Sequence, residues 1–449
     1  MGMGPIQLIR QATPCQRRTL FAAALGWMLD SFDAMLYALV LAHVMRDLGM
    51  TQATAGLLST LMLLASGIGG ILFGFLADRV GRKRALMLSI ATYSICSFIS
   101  GLSTTVLMLA VVRFVLGLGM GGEWNTGATL VAETWPDDLR AKAIAIVQSS
   151  WAIGYALAAL VAAVVLRYAN WRFVFFVGVL PAFVTLWIQN RVPESAMWME
   201  RGKSQNLKPQ SSQRNPKRSQ GSQIPERSQI SERTQTSKSA YEMADDRSFF
   251  HIFSAPYLKS TFVLLFVNFF GLFGWWGLFQ WIPAYLSLPV ARGGRGFGLM
   301  GTASLLIFLN LFGMFPGYIS FGWMADRFGR RRSFVVYLFA AAVLIPLYAM
   351  ARSQSALLVL GTVVAFFGTG FFSGSGTIGS EIYPTQLRAR ALGFTYAGAR
   401  ALSSVSPYVI GKVGDLKGLN WAFLLCAAAF LMASLLATQL PETKGRSLE

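Results

Sequence analysis

The stretch Gly74-Phe75-Leu76-Ala77-Asp78-Arg79-Val80-Gly81-Arg82-Lys83-Arg84 returns almost letter for letter as Gly322-Trp323-Met324-Ala325-Asp326-Arg327-Phe328-Gly329-Arg330-Arg331-Arg332. Each copy follows a long apolar run and precedes another. The repeat reaches beyond these loops. Asp78 and Asp326 are 248 positions apart (326 − 78), and so are Glu133 and Glu381, Arg140 and Arg388, Glu194 and Glu442, and Trp27 and Trp275. One offset shared by loops on one face implies two halves of the same orientation, a parallel internal repeat.

The surroundings of the repeat decide what kind of half it is. Hydrophobic residues make up 54% of the 449 and charged ones only 13%, where a soluble chain carries roughly a quarter. About 20 apolar residues cross a bilayer as a helix, and 53–77, 333–351 and 421–440 contain no charge at all. Charged loops, Gly and Pro divide the chain into twelve candidate spans. Their cores are 20–42, 53–77, 85–101, 105–130, 141–166 and 171–190, then 262–288, 299–324, 333–351, 355–378, 391–412 and 420–440. The expected fold is an all-α polytopic membrane protein of two six-helix bundles, 1–195 and 256–449. Between them, 196–255 reads as a largely disordered cytoplasmic linker rich in Ser, Gln, Arg and Lys, with too little apolar surface to fold. A solvated tether explains its basic character more simply than binding to anionic lipid.

The net charge of +19 does not point to nucleic acid, because basic residues gather in alternate loops. That asymmetry is the positive-inside pattern and puts both termini in the cytoplasm of a plasma (inner) membrane. Cys15, Cys96 and Cys426 have no zinc spacing, His43 and His251 stand alone, and no phosphate-binding Gly-x-x-x-x-Gly-Lys-Ser/Thr loop occurs, so neither metal nor ATP is expected. No cleavable signal peptide is apparent.

Gly-x-x-x-Asp-Arg-x-Gly-Arg-Lys-Arg resembles the loop between helices 2 and 3 of the major facilitator superfamily. Arg113-Phe-Val-Leu-Gly117-Leu-Gly119 resembles its helix 4 signature, and Pro193-Glu194-Ser195 and Pro441-Glu442-Thr443 resemble the ends of its helices 6 and 12. Within it, Trp27-Met-Leu-Asp30-Ser-Phe-Asp33, Gly121-Gly122-Glu123-Trp124 and Gly398-Ala399-Arg400 are similar to the metabolite:proton symporters of the sialate, monocarboxylate and aromatic-acid branches. The resemblance implies secondary active transport, with no enzymatic activity. It further implies proton-driven uptake of a small organic acid by two rocking bundles, with the proton gradient in place of any cofactor.

Ionisable side chains inside a bilayer are costly and mark function by default. Asp30 and Asp33 sit mid-way in the first span, three residues apart on one helical face. Two carboxylates in a poorly solvated cavity repel, so at least one is expected to hold a proton near neutral pH. Glu123 reads equally as a further proton site or as a packing group. Arg113, at about the depth of Asp33, is expected to pair with it. Arg400 is the best substrate anchor, because a guanidinium binds carboxylate through two parallel hydrogen bonds; a distant acid is its alternative partner. Gln280, Asn310, Tyr155 and Asn125 could add hydrogen bonds, and Trp27, Trp275, Trp276 and Trp281 could line the cavity.

The two basic loops are expected to gate. Gly74, Asp78, Arg79, Gly81 and Arg82, with Asp326, Arg327 and Gly329, would engage a neighbouring helix N-terminus and acidic partners; Glu133 with Arg140, and Glu381 with Arg388, are the candidates. The expected partners are a small organic acid, protons and the bilayer, and the chain is expected to be a monomer. A proton-antiport exporter is the alternative within transport, and a solute sensor the alternative outside it.

Overall fold

The computed structural model describes residues 10–192, Glu194 and 249–444. Side chains at Asp78 and Asn125, and most of the expected linker, lie outside the described residues. The first half holds α1 (Pro14–Asp47), α2 (Gln52–Val80), α3 (Arg82–Leu102), α4 (Val106–Thr134), α5 (Asp137–Tyr168) and α6 (Trp171–Arg191). The second holds α7 (Leu258–Ser287), α8 (Leu299–Phe328), α9 (Arg330–Met350), α10 (Gln354–Ile382), α11 (385–417) and α12 (Leu419–Ala437). Among the described residues there is no strand, and eleven helices are long and apolar enough to cross a membrane. The crossing left out is α11, which is interrupted.

Short polar caps start the helices. Thr51, Thr105 and Ser353 each accept a hydrogen bond from the backbone N–H three residues on, satisfying a donor that the first turn cannot. Within 249–255, expected as linker, a 3₁₀ turn (Phe249–Phe253) is anchored by Thr261 Oγ1 donating to Ile252 O.

The two halves repeat their joints. α2 passes into α3 at Gly81 (φ 103°), and α8 into α9 at Gly329 (φ 102°), a backbone region that glycine enters without penalty. Both halves also place a guanidinium on the carbonyls that end their third helix, where the helix dipole favours a cation. In the first half Arg172 donates to Gly101 O and Ser103 O. In the second Arg295 donates to Ala349 O and Ala351 O, the same two positions one offset later. The arginines come from different loops, so the site is repeated and the residue filling it is not.

The halves differ in one respect that matters for the site. The second half contains two π turns, Leu309–Met314 in α8 and Gly393–Ala397 in α11, and α7 breaks at Gln280–Trp281. The corresponding stretches of α2 and α5 are uninterrupted helix.

The end away from the basic loops is closed. There α2 and α11 approach through their backbones: a methyl at Gly56 would sit 2.2 Å from the Pro407 carbonyl, and one at Gly411 would sit 2.3 Å from that of Gln52. Asp415, late in α11, accepts from Gln52 N (2.9 Å) and Ala53 N (2.8 Å) at the start of α2.

Candidate functional site

A cavity of ≈ 300 Å³, its mouth included, lies between the halves. Trp27 and Trp151 line it from the first half, and Trp275, Trp276, Tyr318, Phe372 and Tyr396 from the second. Among the described residues, two other side chains line it, Gln148 and Arg400. Two of the pairs are related by the repeat offset, Trp27 with Trp275 and Gln148 with Tyr396, so the cavity lies across the pseudo-symmetry between the bundles. The rings brace each other: Trp275 and Trp276 meet edge to face at 4.9 Å, and Trp27 and Trp151 lie tilted at 4.8 Å. Such contacts hold large flat surfaces in place.

Arg400 is half-buried and makes no ion pair within 4.0 Å among the described residues; its Nε has no hydrogen-bond partner. Gln148 Oε1 is likewise without one. Unspent donors of a guanidinium inside an aromatic cavity are costly unless an anion supplies acceptors.

The buried acids lie in the first half. Asp30, Asp33 and Glu123 are at most 1% exposed. Neither oxygen of Asp30 nor of Glu123 accepts a hydrogen bond among the described residues. Glu123 packs on α1 one turn from Asp30, since a methyl at Gly26 would meet its Oε1 at 2.4 Å. The electrostatic neighbours of Asp30 include Asp33, Tyr93, Glu123 and, across the interface, Arg400. Asp33 Oδ1 accepts from Ser97 Oγ at 2.7 Å.

The expected Asp33–Arg113 pair is not formed. Arg113 is fully buried, lies 4.2 Å from the centre of the Tyr37 ring and donates to Met62 Sδ at 2.8 Å. Tyr37 is one turn beyond Asp33 on α1, so the depth match from sequence is short by one turn. Aromatic face and thioether then hold the guanidinium instead of a carboxylate.

The remaining candidates separate. Tyr155 Oη donates to Phe279 O at 3.1 Å, tying α5 to α7 instead of lining the cavity. Gln280 is buried at the α7 break with neither amide atom bonded, and Asn310 sits in the α8 π turn with Nδ2 donating to Leu306 O. Trp281 Nε1 donates to Pro407 O and does not line the cavity.

The Major Facilitator Superfamily profile matches residues 23–301 and again 294–448. The chain belongs to the major facilitator superfamily. It is 30% identical to the sialic acid transporter NanX of Escherichia coli, over 94% of this chain and 93% of that one. It is 27% identical to the cis,cis-muconate transport protein of Acinetobacter baylyi, over 92% and 91%. Among solved structures it resembles a D-xylose-proton symporter, with a TM-score of 0.72 at 18% identity over 96% and 99% of the two chains.

In this facilitator each contact seen at the basic loops stays within its own half. Glu194 accepts from Lys83 N (3.1 Å), and Glu442 from Arg330 N (2.8 Å). A carboxylate from the end of the sixth helix thus caps the third in both bundles. Arg82 pairs with Glu133 (3.4 Å) and Arg330 with Glu381 (3.1 Å). Asp326 pairs with Arg330 one turn on (2.9 Å) and, among the described residues, accepts no hydrogen bond from a neighbouring helix N-terminus. Thr443 Oγ1 also donates to Glu381, and Arg388 makes no ion pair among the described residues. Arg79 and Arg327 are exposed; the latter lies over Trp323. Arg140 is half-buried near the start of α5.

Sequence reading passed over Glu194 and Glu442 as site residues although both carried the repeat offset. It also passed over Gln148, Trp151, Tyr318, Phe372 and Tyr396. Gln148 and Tyr396 occupy equivalent positions at that offset, but as different residue types they gave no repeat signal.

Proposed function

We propose that this chain is a proton-coupled symporter that takes up a small organic acid anion by alternating access, with its basic end in the cytoplasm of the inner membrane. The observation that carries this reading is Arg400: a guanidinium with no ionic partner, set in an aromatic cavity built by both halves. A substrate carboxylate supplies the two acceptors that a guanidinium fork needs. Relatives named for sialic acid, muconate and 4-hydroxybenzoate support an organic acid. Asp30 is the proton site with Arg400 as an electrostatic neighbour, with Glu123 beside it and Asp33 held by Ser97. Protonation of Asp30 removes a negative charge from the surroundings of Arg400, which strengthens the pull of the guanidinium on the incoming anion and couples the two fluxes. Closure of the end away from the basic loops supports an inward-facing state.

Purified protein in liposomes with an imposed pH gradient tests this. Wild type accumulates the acid when the outside is acidic. Asp33→Asn and Asp30→Asn lose accumulation. Arg400→Lys stays folded but raises KM by about tenfold or more. Undiminished accumulation in the Asn variants, or a normal KM in Arg400→Lys, would remove those residues from the mechanism. Efflux driven by inward protons would mark an exporter, and binding without flux a sensor.

A further inference from the structure

α11 reaches Arg400 through the π turn Gly393–Ala397, and Gly398 follows at once. A π turn adds a residue to one turn of helix, and each α-helical residue accounts for about 100° of rotation. The turn therefore decides which way the next residues point. Without it, Arg400 would be rotated away from the cavity by a large part of a half-turn.

Such a turn is weak unless something holds it. Asn268 of α7, fully buried, donates from Nδ2 to the Thr395 carbonyl within the turn at 3.2 Å. Ser375 of α10 donates to Asn268 Oδ1 at 2.5 Å. A carbonyl can only accept, so the amide's NH2 must face Thr395, and Ser375 takes the oxygen. Three helices thus meet on one turn.

The first half supplies a built-in comparison. One offset earlier, Asn268, Ser375 and Thr395 are replaced by Leu20, Gly127 and Val147, and Arg400 by Ala152. There α5 runs through as unbroken helix. Brace, π turn and arginine occur together in one half and are missing together from the other.

We infer that Asn268 is a positioning residue for Arg400: it holds the α11 π turn at Thr395, and so aims the guanidinium into the cavity. Substrate affinity then depends on a residue that does not line the cavity. The inference rests on Arg400 being the anion anchor, so its test has an arm independent of substrate.

Asn268→Asp removes the donor to Thr395 at nearly constant shape and keeps an acceptor for Ser375. Ser375→Ala is the milder variant and leaves Asn268 itself in place. In liposomes, benzoate, 4-hydroxybenzoate and N-acetylneuraminate serve as probes, with Arg400→Lys as the reference. For any probe that wild type transports, Asn268→Asp is expected to raise KM by about tenfold with kcat little changed, and Ser375→Ala to raise it less. In the substrate-free arm, Arg400→Cys is labelled by an anionic methanethiosulfonate in a background lacking Cys15, Cys96 and Cys426. Adding Asn268→Asp or Ser375→Ala should slow labelling severalfold. If Arg400→Lys loses affinity while both brace variants keep wild-type KM and labelling rate, the positioning role is overturned and the anchor stands. If Arg400→Lys keeps its affinity, the anchor falls and the labelling rates alone decide whether Asn268 aims position 400.

Discussion

Single residues show how a membrane interior treats charge. Arg113 carries a full charge at zero exposure, yet the groups it touches are a ring face and a thioether, with Asp33 near it but unpaired. Delocalised and weakly hydrated, a guanidinium tolerates this where an ammonium would not. Glu442 shows the opposite arrangement, outside the spans. Burial works against its charge, but the N–H groups of Arg330, Lys444, Arg331 and Thr443 outweigh it and hold its carboxyl below the usual glutamate value of 4.5. A folded value below the unfolded one stabilises the fold at neutral pH, and that contribution is lost as pH falls through the folded value. Between about pH 5 and pH 3, the thermal midpoint of wild type should therefore fall further than that of Glu442→Gln, measured by scanning fluorimetry in detergent. Parallel curves would mean that the cap contributes nothing.

At the scale of elements, the joints are more informative than the helices. Gly81 and Gly329 turn one helix into the next and leave room for the carboxylate that caps the second. A methyl at Gly329 would lie 2.7 Å from Glu442 Oε2, and one at Gly81 2.2 Å from Glu194 Oε2. Gly329→Ala is expected to cost about 1–2 kcal/mol from backbone strain alone, seen as a lower thermal midpoint. Gly81→Ala should cost more, because its contact is closer. An unchanged midpoint in both would show that these glycines are not needed for their conformation. The repeat made the two joints legible, since it pairs Gly81 with Gly329 and Glu194 with Glu442. It did not reveal the π turns of α8 and α11, because the apolar pattern continues through both.

Across the whole molecule, the two halves share a fold and divide the chemistry. Asp30, Asp33 and Glu123 belong to the first half, and their counterparts one offset on are Leu278, Trp281 and Phe371. Arg400 belongs to the second half. On the proposed mechanism, a rocking motion between halves would change the distance between these acids and Arg400, which is what coupling requires. The closed end is held in part by Asp415 on the first N–H groups of α2. Asp415→Ala should favour opening of that end by about 1 kcal/mol, roughly a fivefold shift in population. Spin-label distances between Tyr168→Cys and Leu416→Cys, both exposed at that end, should show a larger long-distance fraction. An identical distribution would assign closure to backbone packing alone.

By itself the sequence determined the membrane class, the parallel repeat and which charges are out of place in hydrocarbon. Those properties are written in apolar run length and in one constant offset, both local to the chain. What only the tertiary structure decided is which side chains meet. Asp33 goes to Ser97 and Arg113 to Tyr37, and the cavity around Arg400 is closed by rings from six helices. One turn of depth, or one extra residue in a π turn, moves a side chain to a different neighbour without altering the hydropathy that marks the span.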